Sequence, residues 1–286
     1  MTPLRAKMMR ELRHQRMAPA TITAYVTAVE DLAKHYKRSP DRISREEVRS
    51  FLDHLQVEKK LSFNTCNQKM CGLKFFYRRV LGQENFDLKV STKRPRKLPE
   101  VLSPKEVSRL IAAAKNAKHR VFLMTVYGGG LRVSEATRLQ CKDIQSDRMM
   151  VRVDQGKGRK DRYTILAQRL LEELRIYHKE VHPKRWLFTE KTGRRPMHID
   201  TAQKIYYFAK KRAGLTRGRG IHTLRHCFAC HSLEAGVNIR TIQQWLGHKH
   251  LSTTLQYIHV AAQQSGKIQS PLDLLPPPEQ PGAPWE

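Results

Sequence analysis

The chain has 286 residues, 54 of them lysine or arginine against 26 aspartate or glutamate, which leaves a formal net charge of +28. So large a charge repels itself and is relieved by a polyanion, so nucleic acid is the expected partner; with no run of about 18 apolar residues and no basic amphipathic anchor, a membrane is not. The five cysteines are odd in number and scattered, which excludes a disulfide framework, and the charged start MTPLRAKMMRELRHQRM lacks the apolar stretch of a signal peptide, so the expected location is the cytoplasm, with the nucleoid.

The length suits two domains. In the first, Ile22, Tyr25, Val26, Val29 and Leu32 recur at helical spacing. Ser44 and Glu47 form a capping box ahead of Val48, Phe51, Leu52 and Leu55, and Met70, Leu73, Phe76, Tyr77 and Val80 mark a further helix over 64–80. Residues 1–82 are therefore expected to form a small helical bundle. Residues 83–100, QENFDLKVSTKRPRKLPE, lack periodicity, hold two prolines and read as a linker. Its basic cluster, Lys93, Arg94, Arg96 and Lys97, is expected to contact DNA phosphates.

Ser103, Pro104 and Glu106 restart the fold with an N-cap, a first-turn proline and a capping-box partner. Helices are expected through Ala114 and over 121–127, where Gly128, Gly129 and Gly130 interrupt, with another from about Leu131. The β-rich runs 149–153 and 162–166 flank a turn with two glycines and predict a hairpin. Residues 200–212 read as a helix, and two or more helices follow over 223–260. The catalytic domain is expected over 101–262, followed by a tail, 263–286, whose six prolines argue against packed structure beyond about residue 275. Residues 1–100 carry 22 basic and 11 acidic side chains, 101–260 carry 31 and 12, and 261–286 carry one and three. Both expected domains are basic and the tail is not. The fold class expected is mainly α with a small antiparallel β-sheet, arranged as a two-domain DNA clamp.

The chemistry-bearing residues occur in a fixed order: Arg132, Lys157 in Gly156-Lys157-Gly158, His222-Thr223-Leu224-Arg225, His248 and Tyr257. Attack on a phosphodiester places extra negative charge on the nonbridging oxygens, which two always-charged guanidinium forks can clamp. Tyr257 is suited to be a nucleophile whose phosphate ester is stable but reversible. Lys157, on the hairpin turn, can protonate the departing sugar oxygen, with Arg159 and Lys160 as neighbouring rival donors or DNA contacts. His222 and His248 can bond the phosphate, and one can manage the tyrosine proton. Glu135, three residues after Arg132, is placed to support it. Taken singly, each residue has an ordinary structural explanation, and only the ordered combination points to catalysis. A rival cluster, His226, Cys227, Cys230 and His231, holds metal-capable types. All four fall on one expected helix, where side chains diverge, so no metal site is expected and the cysteines are read as small buried hydrophobes.

In this order and spacing, from Leu102 to about Val260, the chain resembles the tyrosine recombinase (phage integrase) family, and HSLEAGVNIRTIQQWLGHKHLSTTLQYIHV resembles it throughout. Ser270-Pro271-Leu272-Asp273 suggests the integron-integrase and Xer-like branch. The resemblance implies a site-specific recombinase that cleaves and rejoins duplex DNA through a 3′-phosphotyrosine and a Holliday junction, to integrate, excise or resolve mobile elements. It implies a homotetramer on two DNA sites, no cofactor, and an accessory DNA-bending protein as a possible partner. It also implies a C-terminal segment that docks on a neighbouring protomer, for which 261–275 are the candidates. Two alternatives stand beside it: a type IB topoisomerase-like enzyme that relaxes DNA without a specific site, and a DNA-binding accessory protein of a mobile element.

Overall fold

The computed structural model describes residues 2–88, 99–154 and 161–264, the last six of these as backbone. The expectations for Lys93, Arg94, Arg96 and Lys97, for Lys157, Arg159 and Lys160, and for the tail from 265 on lie outside the described residues. Two compact units make up the chain, Met1–Arg96 and Lys97–Glu286.

The first unit is helical: α1 (Pro3–His14), α2 (Pro19–Tyr36), α3 (Arg45–Val57) and α4 (Phe63–Phe75), the last running into a π-helical turn, Phe76–Val80. Each start has a local cause. The Thr2 side chain accepts from the Arg5 N–H with Pro3 in the first turn, the Ser44–Glu47 capping box is complete, and Ser62 accepts from the Thr65 N–H. Helix α1, which the sequence reading passed over, contributes Met8 and Leu12 to a core shared with Leu32, Phe51, Leu73 and Phe76. Each such side chain contributes about 1.5–3 kcal/mol by leaving water. Gly72 lets α4 cross α2 closely: a Cβ there would lie 2.9 Å from the Tyr25 Cα. Tyr77 stacks on Phe86 at 4.1 Å, and its buried hydroxyl donates to the carbonyls of Pro40 (2.7 Å) and Ile43 (3.1 Å).

The second unit holds α5 (Pro104–Ala112), α6 (Ala117–Gly128), α7 (Val133–Thr137), β1 (Ile144–Gln145), β2 (Met150–Val153), β3 (Arg162–Ile165), α8 (Gln168–Val181), α9 (Ile199–Arg212), α10 (His222–Glu234), α11 (Ile239–Leu246) and α12 (Ser252–Gln264). The expected hairpin is present, β2 and β3 pairing antiparallel with Val151 opposite Thr164 and Val153 opposite Arg162, and β1 adds a third strand on the other side of β2. Val151, Val153 and Thr164 face the core while Tyr163 and Ile165 face out, as the two-residue period of a half-buried sheet requires. Helix α8, for which no element was expected, buries Leu170, Leu171, Leu174 and Tyr177.

Helix α10 runs through the middle of this unit. Thr223, Leu224, Arg225, Cys227, Phe228, Ala229 and Cys230 are all buried, so its sequence has apolar residues on every face. The rival metal cluster on it comes apart in three dimensions. Cys227 Sγ accepts from the Leu102 N–H (3.2 Å), His231 lies between the Leu102 carbonyl and the Tyr127 hydroxyl (3.0 Å each), and His226 turns to Tyr257. Burial pushes both cysteine thiols up to about 12, as the small-hydrophobe reading requires.

Candidate active site

Helix α6 ends in the glycine run. Gly130 has φ +58°, and a Cβ there would lie 2.3 Å from the Phe228 ring, so only glycine fits the turn. The Thr164 hydroxyl donates to the Gly129 carbonyl (2.9 Å) and ties the turn to β3. The chain leaves the turn with Leu131 in the core and Arg132 as the residue preceding α7. Glu135 bonds back to it twice, accepting from the Arg132 backbone N–H and from Nη1, each at 2.8 Å. The rest of the Arg132 fork borders an open cleft of about 660 Å³ lined also by Ser134, Arg138 and Arg185.

Glu135 is the electrostatic hub. Arg162 donates from Nη1 and Nη2 to its two oxygens at 2.9 and 2.8 Å, and the Arg225 guanidinium comes within 3.8 Å. Burial alone would raise this carboxyl, but the bonds and charge of Arg162, then of Arg132, outweigh it and hold it down to about 2. One carboxylate against three guanidiniums leaves the cluster positive, as an incoming phosphodiester needs. The third bond of Arg162, from Nε to the Trp245 carbonyl (2.8 Å), fastens the end of α11 to the sheet.

Arg225 is 1% exposed. Its Nη1 donates to the Gly130 carbonyl and its Nη2 to the Leu246 carbonyl, both at 2.6 Å, and Nη2 also meets His248 Nε2 at 3.2 Å. Burial, then the positive Arg132, pull the guanidinium down to about 9, which leaves it charged at neutral pH. Because arginine only donates, His248 Nε2 accepts, and Nδ1 therefore carries the proton and donates to the Thr254 hydroxyl at 2.9 Å. Burial and Arg225 push His248 down to about 3, so the ring is neutral.

Helix α12 brings Tyr257 onto this cluster. Its ring lies parallel to that of His248 at 6.4 Å, and its hydroxyl is 3.0 Å from His226 Nδ1. It is 1% exposed, and burial raises the phenol to about 12 although Arg225 favours its ionisation. His222 meets His226 edge to face at 4.7 Å, and both line a second cavity of about 560 Å³.

The fold thus gathers Arg132, Glu135, His222, Arg225, His248 and Tyr257 in one unit through linked contacts. Three residues join them that the sequence reading gave no such place: Arg162, Thr254 and His226. Three other tyrosines of this unit are placed elsewhere: Tyr127 bonds His231, Tyr163 is on the outer face of β3, and Tyr206 is buried with its hydroxyl on the Gly218 carbonyl. Tyr207, next to Tyr206 on α9, is half exposed, its hydroxyl donating to the Arg219 carbonyl at 2.8 Å. Among the described residues no helix is long and apolar enough to cross a membrane.

A helical protein with a buried guanidinium cluster and a tyrosine hydroxyl against it has the makings of a phosphoryl-transfer enzyme that uses tyrosine as nucleophile. The chain belongs to the phage integrase family, the tyrosine recombinases: the model described as "Phage integrase family" matches residues 100–264, and "Phage integrase, N-terminal SAM-like domain" matches 4–86. It is 39% identical over 280 residues to a Sinorhizobium fredii protein named, provisionally, an integrase/recombinase, covering 97% of this chain and 91% of the relative. It is 34% identical over 264 residues to the tyrosine recombinase XerA of Thermococcus kodakarensis, covering 90% and 91%. In fold it is similar to a lambda integrase tetramer bound to a Holliday junction, with a TM-score of 0.72 at 18% identity, covering 88% of this chain and 75% of that one.

Proposed function

We propose that the protein is a site-specific recombinase in which Tyr257 opens the DNA strand and stores the bond as a 3′-phosphotyrosine. Arg132 and Arg225 hold the nonbridging oxygens of the scissile phosphate. Glu135 sets the direction of both forks, His222 and His248 complete the hydrogen bonding, and Lys157 gives a proton to the departing 5′ oxygen. Residues 101–262 carry this chemistry, 1–82 bind DNA, and the joining stretch 83–100, with Lys93, Arg94, Arg96 and Lys97, neutralises phosphates, as do Arg159 and Lys160. Four copies exchange strands between two sites through a Holliday junction, on DNA of the nucleoid, with an accessory DNA-bending protein where geometry demands one. The reaction is integration, excision or resolution of a mobile element.

The observation that carries this reading is Tyr257 beside a buried cluster in which Arg132 and Arg225 converge on one carboxylate. The test begins by selecting bound sites from fragmented genomic DNA. A plasmid bearing two copies of the selected site is then compared with one bearing none, in the presence of EDTA. Exchange confined to the site-bearing plasmid supports the proposal. Relaxation of the site-free plasmid without exchange would support the topoisomerase reading instead, and site binding with no cleavage would leave an accessory DNA-binding protein.

A further inference from the structure

The phenol proton of Tyr257 has to leave as its oxygen bonds to phosphorus, and the histidines differ in their freedom to take it. His248 has both nitrogens engaged, Nε2 by Arg225 and Nδ1 by Thr254. His222 packs at a right angle to His226 and lines the same cavity, with no bond to the Tyr257 oxygen among the described contacts. His226 Nδ1 lies 3.0 Å from the Tyr257 oxygen. With the ring proton of His226 on Nε2, the phenol O–H donates to Nδ1 across this distance.

Resting on Tyr257 as nucleophile, we propose that His226 is the catalytic base for strand cleavage and that the cavity beside it is the route by which the proton leaves. His226 forms part of the wall between the buried Tyr257 and that cavity of about 560 Å³, which is lined also by Glu100, Tyr207, Arg219 and His222. In cleavage the phenol O–H breaks and its proton passes to Nδ1, the phenolate oxygen bonds to phosphorus, and the bond from phosphorus to the 5′ oxygen breaks, that oxygen taking a proton from Lys157. The imidazolium then gives up its Nε2 proton through the cavity. In rejoining, the steps reverse: a neutral ring re-protonated from the cavity returns the proton to the departing phenolate. The resting ring is neutral, burial with His222 and Arg225 holding it down to about 4, and in its Nε2-protonated form Nδ1 accepts. The arriving phosphate adds negative charge that offsets Arg225 and stabilises the imidazolium as it forms.

The test compares wild type, His226→Ala and His226→Asn in single-turnover cleavage of a suicide substrate, with site binding measured in parallel. Two substrates are used: the ordinary one, and one whose 5′ bridging oxygen is replaced by sulfur, a leaving group that needs no proton. Loss of a general base costs roughly a hundredfold or more. His226→Ala is expected to be slow on both substrates while still binding the site. His226→Asn, whose amide oxygen can keep the bond to the phenol but cannot carry its proton away, is expected to be as slow; it carries the test should the alanine variant bind DNA poorly. Rates near wild type in His226→Asn would reduce the residue to a positioning role and overturn the proposal, as would rescue of either variant by the sulfur substrate, which would move it to the leaving-group side. If the adduct in wild type maps to another residue than Tyr257, the nucleophile assignment itself fails; if it maps to Tyr257 and His226→Ala cleaves normally, only this inference fails.

Discussion

Glu135→Gln removes one negative charge from the centre of three guanidiniums while keeping the shape of the side chain. The folded carboxyl stands at about 2 against an ordinary 4.5, a difference worth about 3 kcal/mol of folding stability at neutral pH. The side chain is 7% exposed, so solvent screening takes little from that figure. Removing one member of a buried ion pair costs about 3–5 kcal/mol by an independent route, because Arg162 and Arg225 lose their counter-charge. The sign follows from the direction. A carboxyl held low in the fold contributes above its ordinary value and loses that contribution as pH falls from about 4.5 towards 2. The wild-type advantage over Glu135→Gln is therefore expected to be full at pH 7 and to fall below half by about pH 3. Urea unfolding followed by tryptophan fluorescence suits the measurement, since Trp186 and Trp245 both lie in the second unit and the Trp245 carbonyl accepts from Arg162. A difference under about 0.5 kcal/mol at pH 7, or one that does not shrink with acid, would refute the view of Glu135 as the buried hub.

Gly130→Ala is expected to destabilise the second unit by about 2–5 kcal/mol, adding left-handed backbone strain to a clash with Phe228, whereas Gly82→Ala, at positive φ but in open space, should show the strain alone; equal losses in urea melts would deny the Phe228 contact. Arg225→Ala is expected to abolish cleavage while site binding stays within a few-fold, checked by gel shift beside a cleavage assay; equal loss of both would make it an anchoring residue. Affinity for duplex DNA is expected to fall roughly a hundredfold or more between about 50 and 200 mM salt, and a flat response would mean that the +28 charge serves another purpose.

Much of the fold can be read where a local rule acts alone. Ser44 with Glu47 and Ser103 with Glu106 are four-residue signals, and each starts a helix with both reciprocal bonds made. The hairpin follows from two β-rich runs on either side of a turn with two glycines. What escapes depends on contacts between distant residues. Helix α1 buries only Met8 and Leu12 among many charges, so its apolar face is thin. Strand β1 is two residues long, too short for any period to show. Helix α8 has a plain apolar seam in Leu170, Leu171, Leu174 and Tyr177, which is legible in the sequence by its helical spacing. The site divides the same way. Arg132, Arg225, His248 and Tyr257 stand out by order along the chain. Arg162 reads as an ordinary strand residue until Glu135, 27 positions away, is found against it. In the sequence His226 stands among neighbouring metal-capable types, and only the packing of α12 on α10 shows its contact with Tyr257.

The central claim is that Tyr257 carries the DNA. Wild type and Tyr257→Phe are incubated with a labelled suicide substrate, resolved on denaturing gels, and the linked peptide is mapped. Replacement by phenylalanine removes only the hydroxyl oxygen, so folding and site binding should persist. The account predicts a covalent adduct in wild type on the peptide containing Tyr257, and none in Tyr257→Phe at equal site binding. An adduct that persists in Tyr257→Phe would contradict it and place the nucleophile elsewhere.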